Sequence, residues 1–471
     1  MLLRQNLKEK TIMRPTNRRH FLWHTGIAAC ASTSFSGAGV TPNIFAADVK
    51  KRPKVAVIFT VLRFRSHAYN ILENFLGPYY FNGVLTDPGV DVASFYADQF
   101  PQDDMAREVS RRFEIPLYPS IAEAMCVGGK KLDVDAVLLI GEHGDYPYND
   151  RGQHLYPRKR FFDEAVAVMR SANRFLPLFN DKHLSYRWDW AKEMFDTARA
   201  HQMPLCAGSS VPLAQRKPMF NLPSGADIVE AVSIHGGGLE SYDFHALEVL
   251  QSIVESRRGG ETGIAKIELL YGESLQRAKA AGRWSQQLVD AAMAAERTMA
   301  ARRQPRPSTG VFQSKPRQVP PPRPDGPHAI AIEYLDGTRA TVLKVGSSAD
   351  RWNFACRLRG ETKPRATAYF NSPWGNRGLF KALSHAIQQH FIHGIEPYPA
   401  ERTLLTTGAV EAVMHSFEQQ GQPIETPHLN ITYQAKPWKK FRESGRTWDV
   451  ITTDTPQPTT FHPRSFKELH R

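Results

Sequence analysis

Short, wholly apolar runs alternate with amphipathic stretches through the first half of the chain. Residues 136–140 read Ala-Val-Leu-Leu-Ile and stop at Gly141, the pattern of a strand buried on both faces of a parallel sheet. Similar runs at 54–60, 90–96, 175–179 and 204–208 predict four more strands, and between them 67–76, 105–113, 120–125, 161–172 and 188–201 have helical spacing. Such alternation predicts an α/β fold with a doubly wound parallel sheet. After residue 215 the pattern shifts to strand-like segments at 228–234, 264–270, 330–334, 340–345, 354–358 and 367–370, with Asp336-Gly337 as a hairpin turn and an alanine-rich helix over 273–302. This predicts a second domain that combines several strands with a long helix. The expected divisions are a leader over 1–47, a first domain over 48–215, a second over 216–440 interrupted by a Pro/Arg-rich loop at 303–327, and a tail over 441–471.

Composition alters this picture in one respect. The formal net charge of +13 is concentrated rather than spread. Arg4, Lys8, Lys10, Arg14, Arg18 and Arg19 stand against Glu9 in the leader, and Arg302, Arg303, Arg306, Lys315, Arg317 and Arg323 against Asp325 in the Pro/Arg-rich loop. The remainder is near balance, so no nucleic-acid partner is expected. No run of 18 apolar residues occurs, so no transmembrane span is expected. Cys30, Cys126, Cys206 and Cys356 have neither metal-ligand spacing nor a disulfide framework. The leader itself, Asn17-Arg18-Arg19-His20-Phe21-Leu22 followed by a mildly apolar stretch and Ala46-Ala47, resembles a twin-arginine signal. It implies use of the twin-arginine export machinery and a periplasmic or other extracytoplasmic location.

Two strand ends carry the candidate chemistry. Glu142, His143, Asp145 and Asp150 follow the strand at 136–140, and Asp181, Lys182 and His183 follow the one at 175–179. Open α/β sheets bind ligands beyond the carboxyl ends of their strands, so both tips are expected in one crevice. A half-buried lysine there can serve acid-base chemistry. Glu142, His143, Asp145, Asp181, His183, His235 and His245 could also form the ligand set of a transition metal, although no metal spacing on one helix supports it and no metal site is assigned. Tyr146, Tyr148, Tyr186, Trp188 and Trp190 suit sugar-ring stacking or ordinary packing.

The order of elements, the apolar strand before a polar loop, and the tip Asp181-Lys182-His183 resemble the glucose-fructose oxidoreductase / inositol dehydrogenase (Gfo/Idh/MocA) family, which has Glu-Lys-Pro at that tip. The segment Gly237-Gly238-Leu239-Glu240-Ser241-Tyr242-Asp243-Phe244-His245-Ala246-Leu247-Glu248 is similar to the family's second motif. The resemblance implies a Rossmann-like domain, a second, α+β domain with a mostly antiparallel open sheet and helices on one face, a sugar or polyol substrate, NAD or NADP as cofactor, and a possible homo-oligomer. By the same resemblance Lys182 orients substrate and His245 is the acid-base, with Asp243 in place of the missing aspartate at Ser241. Arg63, Arg65 and Ser66 stand in a glycine-free phosphate turn. Asp98 would read a ribose, Gly141, Glu142 and His143 would border the nicotinamide, and Asp145, Asp181 and His183 would meet substrate. The rival expectations are a metal-assisted hydrolase or lyase on the same scaffold, and a non-catalytic carbohydrate-binding protein with a degenerate cofactor site.

Overall fold

A computed structural model describes residues 52–297, 324, 326–371 and 373–458. The leader with its twin arginines, most of the Pro/Arg-rich loop and the end of the tail lie outside the described residues. The strands are β1 (Lys54–Phe59), β2 (Tyr79–Phe81), β3 (Val84–Thr86), β4 (Asp91–Ala97), β5 (Leu117–Tyr118), β6 (Ala136–Ile140), β7 (Leu178–Asp181), β8 (Leu205–Gly208), β9 (Arg216–Lys217), β10 (Ile228–His235), β11 (Ile264–Tyr271), β12 (His328–Tyr334), β13 (Arg339–Lys344), β14 (Trp352–Leu358), β15 (Arg365–Tyr369) and β16 (Ile424–Glu425). The helices are α1 (His67–Leu72), α2 (Ala106–Phe113), α3 (Ile121–Met125), α4 (Arg158–Ser171), α5 (Trp188–Ala200), α6 (Ser241–Val254), α7 (Gly272–Ala280), α8 (Gln286–Arg297), α9 (Arg377–His393), α10 (Ala400–Glu418) and α11 (Thr447–Val450).

The first sheet has the order β5-β4-β1-β6-β7-β8 and is parallel throughout. Its order reverses between β1 and β6, which makes it a doubly wound, Rossmann-like sheet with its crevice at that reversal. The apolar runs are explained by burial on both faces. Val55, Val57 and Phe59 of β1 enter one core, while Ala56 and Ile58 enter the other. The first core is completed by a distant segment: Phe380, Leu383, Ile387 and Phe391 of α9 pack there with α1, and Phe441 joins from the tail.

The second sheet has the order β16-β11-β12-β13-β10-β14-β15-β9. Only the β10/β13 pair is parallel, so the sheet is mixed and mostly antiparallel. The turn at Asp336-Gly337 joins β12 to β13, with Gly337 at φ +80°. One face packs on α6 and α10. The other is not bare, as the family resemblance implies. Leu288 and Ala292 of α8 and Leu275 and Ala278 of α7 lie with Val232, Ile234 and Ala355 of the sheet. The single helix expected over 273–302 is two, parted at Gly282 (φ +66°), where Trp284 turns inward to this core.

Candidate functional site

The crevice is held together where the sheet order reverses. The hydroxyl of Thr60, one residue past β1, donates to the carbonyl of Glu142, two residues past β6, at 2.6 Å. Glu142 is the hub of a buried ionic cluster. One carboxylate oxygen accepts from Lys182 Nζ at 2.8 Å, and the other from the Arg158 guanidinium. Gly141 makes this arrangement possible, because a Cβ there would lie 2.7 Å from Cγ of Arg158. Burial would raise the Glu142 carboxyl, but Lys182 and then Arg158 hold it well below the usual carboxylate range.

Four imidazoles surround this cluster. His67, the first residue of α1, lies with Nδ1 2.6 Å from Asp181 Oδ2 and so donates to it. His143 packs edge-on to His67, with ring centres 5.0 Å apart, and burial above all pushes its imidazole down to about 3. His183 lies 3.4 Å from an Arg158 nitrogen and 3.6 Å from Glu240 Oε1. Burial and then Arg158 hold it well below the ordinary histidine value. His245 on α6 sits with Nδ1 2.6 Å from Ser209 Oγ, just past β8. It too is held well below its ordinary value, by burial first and then by the positive charge of Lys182. His143 Nε2 and His183 Nδ1 are buried with no hydrogen-bond partner. The backbone also carries strain here: His143 (φ +71°), Lys182 (φ +64°) and Glu240 (φ +71°) are left-handed without being glycine.

The crevice thus gathers Glu142, His143, Asp181, Lys182, His183 and His245 as expected from the two strand tips and the second motif. Other expected residues lie elsewhere. Asp145 is exposed, and it is its backbone that pairs with Gln99 at 2.8 and 3.0 Å. Asp243 does not serve His245. Residues two apart on a helix face apart, and the Asp243 carboxylate is buried against His235 and His328 on the far side, at 2.9 and 3.0 Å. Tyr186 and Trp190 border a surface cleft of about 410 Å³ with Tyr156, and Trp188 packs, partly buried, against the α6/α10 core of the second sheet and the core on the Ala56/Ile58 face of the first. Thr60, His67, Arg158, Ser209 and Glu240 were not anticipated. Of these only Arg158, an arginine opening an amphipathic helix straight after a strand-end loop, leaves a readable trace in the sequence.

The residues expected around a dinucleotide do not fit one. The turn after β1 holds Val61 and Leu62 fully buried and has no glycine, so no bare backbone can approach a pyrophosphate. Ser66 caps α1 itself, its oxygen accepting from the Tyr69 amide at 3.2 Å. The Arg65 guanidinium donates to Asn376 at 2.7 Å and to Gln457 of the tail at 3.0 Å, while Arg63 lies 3.9 Å from Asp103. Asp98, the ribose reader by resemblance, accepts from Tyr96 and Tyr146 at 2.6 Å each and from Arg160 at 2.5 Å. Burial would raise its carboxyl, but these three donors lower it.

No family model and no curated protein matches the chain. Among solved structures it is similar to scyllo-inositol dehydrogenase from Lactobacillus casei with bound cofactor NAD(H) and scyllo-inositol, at 11% identity and TM-score 0.48, over 80% of this chain and 99% of that one. It is similar also to GenD2 from gentamicin A biosynthesis in complex with NAD, at 11% identity and TM-score 0.48, over 82% and 99%. A third likeness is myo-inositol 2-dehydrogenase from Lactobacillus plantarum, at 9% identity and TM-score 0.46, over 80% and 99%. The fold assignment rests on the strand orders given above.

Proposed function

We propose that this chain is an exported protein of the Gfo/Idh/MocA type whose crevice takes a sugar- or polyol-like molecule and moves a proton at one of its hydroxyls. The observation that supports this is the convergence of Lys182 and His245, from the end of β7 and from α6, on one buried cluster, each fixed by its own partner. Lys182, held by Glu142, offers ammonium hydrogens to orient a substrate hydroxyl. His245 stays neutral across the physiological range. With Nδ1–H donated to Ser209, its Nε2 lone pair accepts the hydroxyl proton. The buried, unpartnered nitrogens of His143 and His183 leave polar groups for further hydroxyls.

In the oxidoreductase form of this reading the accompanying hydride would pass to a nicotinamide nucleotide. The turn after β1 and Asp98 do not fit that group, and no step is derived through it. The same misfit favours a second reading, a carbohydrate-binding protein that turns nothing over. Calorimetric titration of the protein with NAD, NADP, inositols and monosaccharides separates the two. Polyol-dependent reduction of either nucleotide, lost in Lys182→Ala, supports the oxidoreductase. Saturable sugar binding without nucleotide binding supports the binding protein. Absence of sugar or polyol binding at millimolar concentration overturns both.

A further inference from the structure

Away from the crevice, on the other side of α6, three ligand-type side chains from three elements meet in the interior. His235 is the last residue of β10, Asp243 lies in the first turn of α6, and His328 opens β12. All three are 0% exposed, and their ligand atoms lie within 4.8 Å of one another. Both Nε2 atoms lie close to the same carboxylate oxygen, Asp243 Oδ1, at 2.9 Å from His235 and 3.0 Å from His328. We propose that His235, Asp243 and His328 bind one divalent first-row transition metal, which ties the ends of β10 and β12 to the first turn of α6.

Three observations favour a metal over a closed hydrogen-bond network. First, His235 Nε2 lies 2.9 Å from Asp243 Oδ1 yet is not aligned to hydrogen-bond it, so a closed network would leave a buried donor unsatisfied. Second, the two separations from Asp243 Oδ1, 2.9 and 3.0 Å, match the ~3.0 Å between ligand atoms held ~2.1 Å from one metal at right angles, and all three ligand atoms lie within 4.8 Å of one another. Third, the outer contacts of Asp243 and His328 suit ligation. Asp243 Oδ2 accepts from the Glu240 amide at 2.8 Å, which leaves Oδ1 for the ion, and His328 Nδ1 lies 3.3 Å from the Gly326 carbonyl, which fixes its other nitrogen as the ligand. A metal on His235 Nε2 puts the proton on Nδ1, so the Gly237 amide, 3.3 Å away, must give way; at that length little is lost.

Two imidazoles and one carboxylate suit zinc, iron, manganese or cobalt rather than calcium or magnesium. Trp352 stacks over His235, and Tyr242 stacks over Trp352 with ring centres 5.5 Å apart, so the ion would be sealed from solvent. Its role would be to position α6, which carries His245 to the crevice.

The test is elemental analysis of the protein purified without chelator, followed by stripping and separate add-back of Zn²⁺, Mn²⁺, Co²⁺ and anaerobic Fe²⁺. We expect one equivalent per chain, a fall in Tm of several degrees on stripping, and recovery with one of these metals. Asp243→Asn and His328→Gln, checked for folding by circular dichroism, should each lose the metal and the metal dependence of Tm. Stripped wild-type protein that takes up no metal and melts as before overturns the proposal, and so does a full equivalent retained in both variants. If the variants do not fold, X-ray absorption of the wild-type metal decides, because a shell without two imidazoles overturns it. None of these readings depends on sugar or nucleotide binding, so the crevice assignment and the metal assignment can fail separately.

Discussion

The two ends of the crevice are built from the same residue types to opposite effect. At the β4 end, Asp98 has three donors on its carboxylate, and Arg65 is shared between Asn376 and the tail. The functional groups expected to meet a cofactor there, Asp98 and Arg65, are thus answered by the protein itself. At the β6/β7 end, where Glu142, Asp181, Lys182 and His183 are buried, His143 Nε2 and His183 Nδ1 are unanswered and His143, Lys182 and Glu240 hold left-handed backbone. Unsatisfied buried groups and local strain cost stability, and they persist where a ligand completes them. Ligand is therefore expected at the end that touches Lys182 and His245.

This contrast can be broken most severely at Glu142. Glu142→Gln leaves the buried Lys182 and Arg158 cations sharing a neutral amide, and we expect a loss of about 3–5 kcal/mol in urea unfolding. The pH dependence has a definite sign. Glu142 has a lowered folded-state value, so its contribution is fully present above the unfolded value of about 4.3 and disappears as pH falls through the lower folded one. The Gln variant should lack that part of the acid transition. Lys182→Met should abolish any sugar- or polyol-dependent turnover, by roughly 10²-fold or more, while melting differently from Glu142→Gln because no cation is stranded.

Ser209→Ala tests the orientation of His245 and should cost about tenfold in turnover with little change in sugar affinity; unchanged turnover would remove Ser209 from the mechanism. His143 sharpens the contrast through pH. Its folded value of about 3 lies below the unfolded one, so the unfolded chain binds an extra proton as pH falls below about 6.5. Stability is lost over that window at up to about 1.4 kcal/mol per pH unit, and His143→Gln should flatten the slope. The smallest effect is expected at the other end. Asp98→Asn should leave sugar binding within about twofold and lower stability by about 1 kcal/mol, since its partners there are half-exposed. A large loss of sugar binding would show that the β4 end takes part after all.

What could be read from the sequence follows from how local each feature is. The parallel strands were legible because β1 and β6 are buried on both faces, which demands unbroken apolar runs. The crevice was legible where a strand end delivers charged residues directly, as at Glu142, Lys182 and His183. Residues that depend on another segment's path were not. Ser209 lies in an unremarkable Gly-Ser-Ser turn and gains meaning only because α6 brings His245 to it. The separation of Asp243 from His245 was available from helical geometry alone, since two residues turn about 200°. The break at Gly282 was visible as well, but the alanine-rich composition around it argued for continuity. That α8 would cover the second sheet could not be seen, because amphipathic spacing names a buried face and not the surface it meets.

The placement of α9 also sets a timetable. The core beneath β1 is closed by Phe380, Leu383, Ile387 and Phe391, more than 300 residues after the strand they cover. A ribosome must therefore deliver almost the whole chain before the first sheet can bury its apolar face. Until then the nascent protein exposes that surface to chaperones and proteases. Fragments ending before α9 should be insoluble however well their own strands are formed, and a premature stop just before α9 should be as damaging as one in the first quarter of the gene.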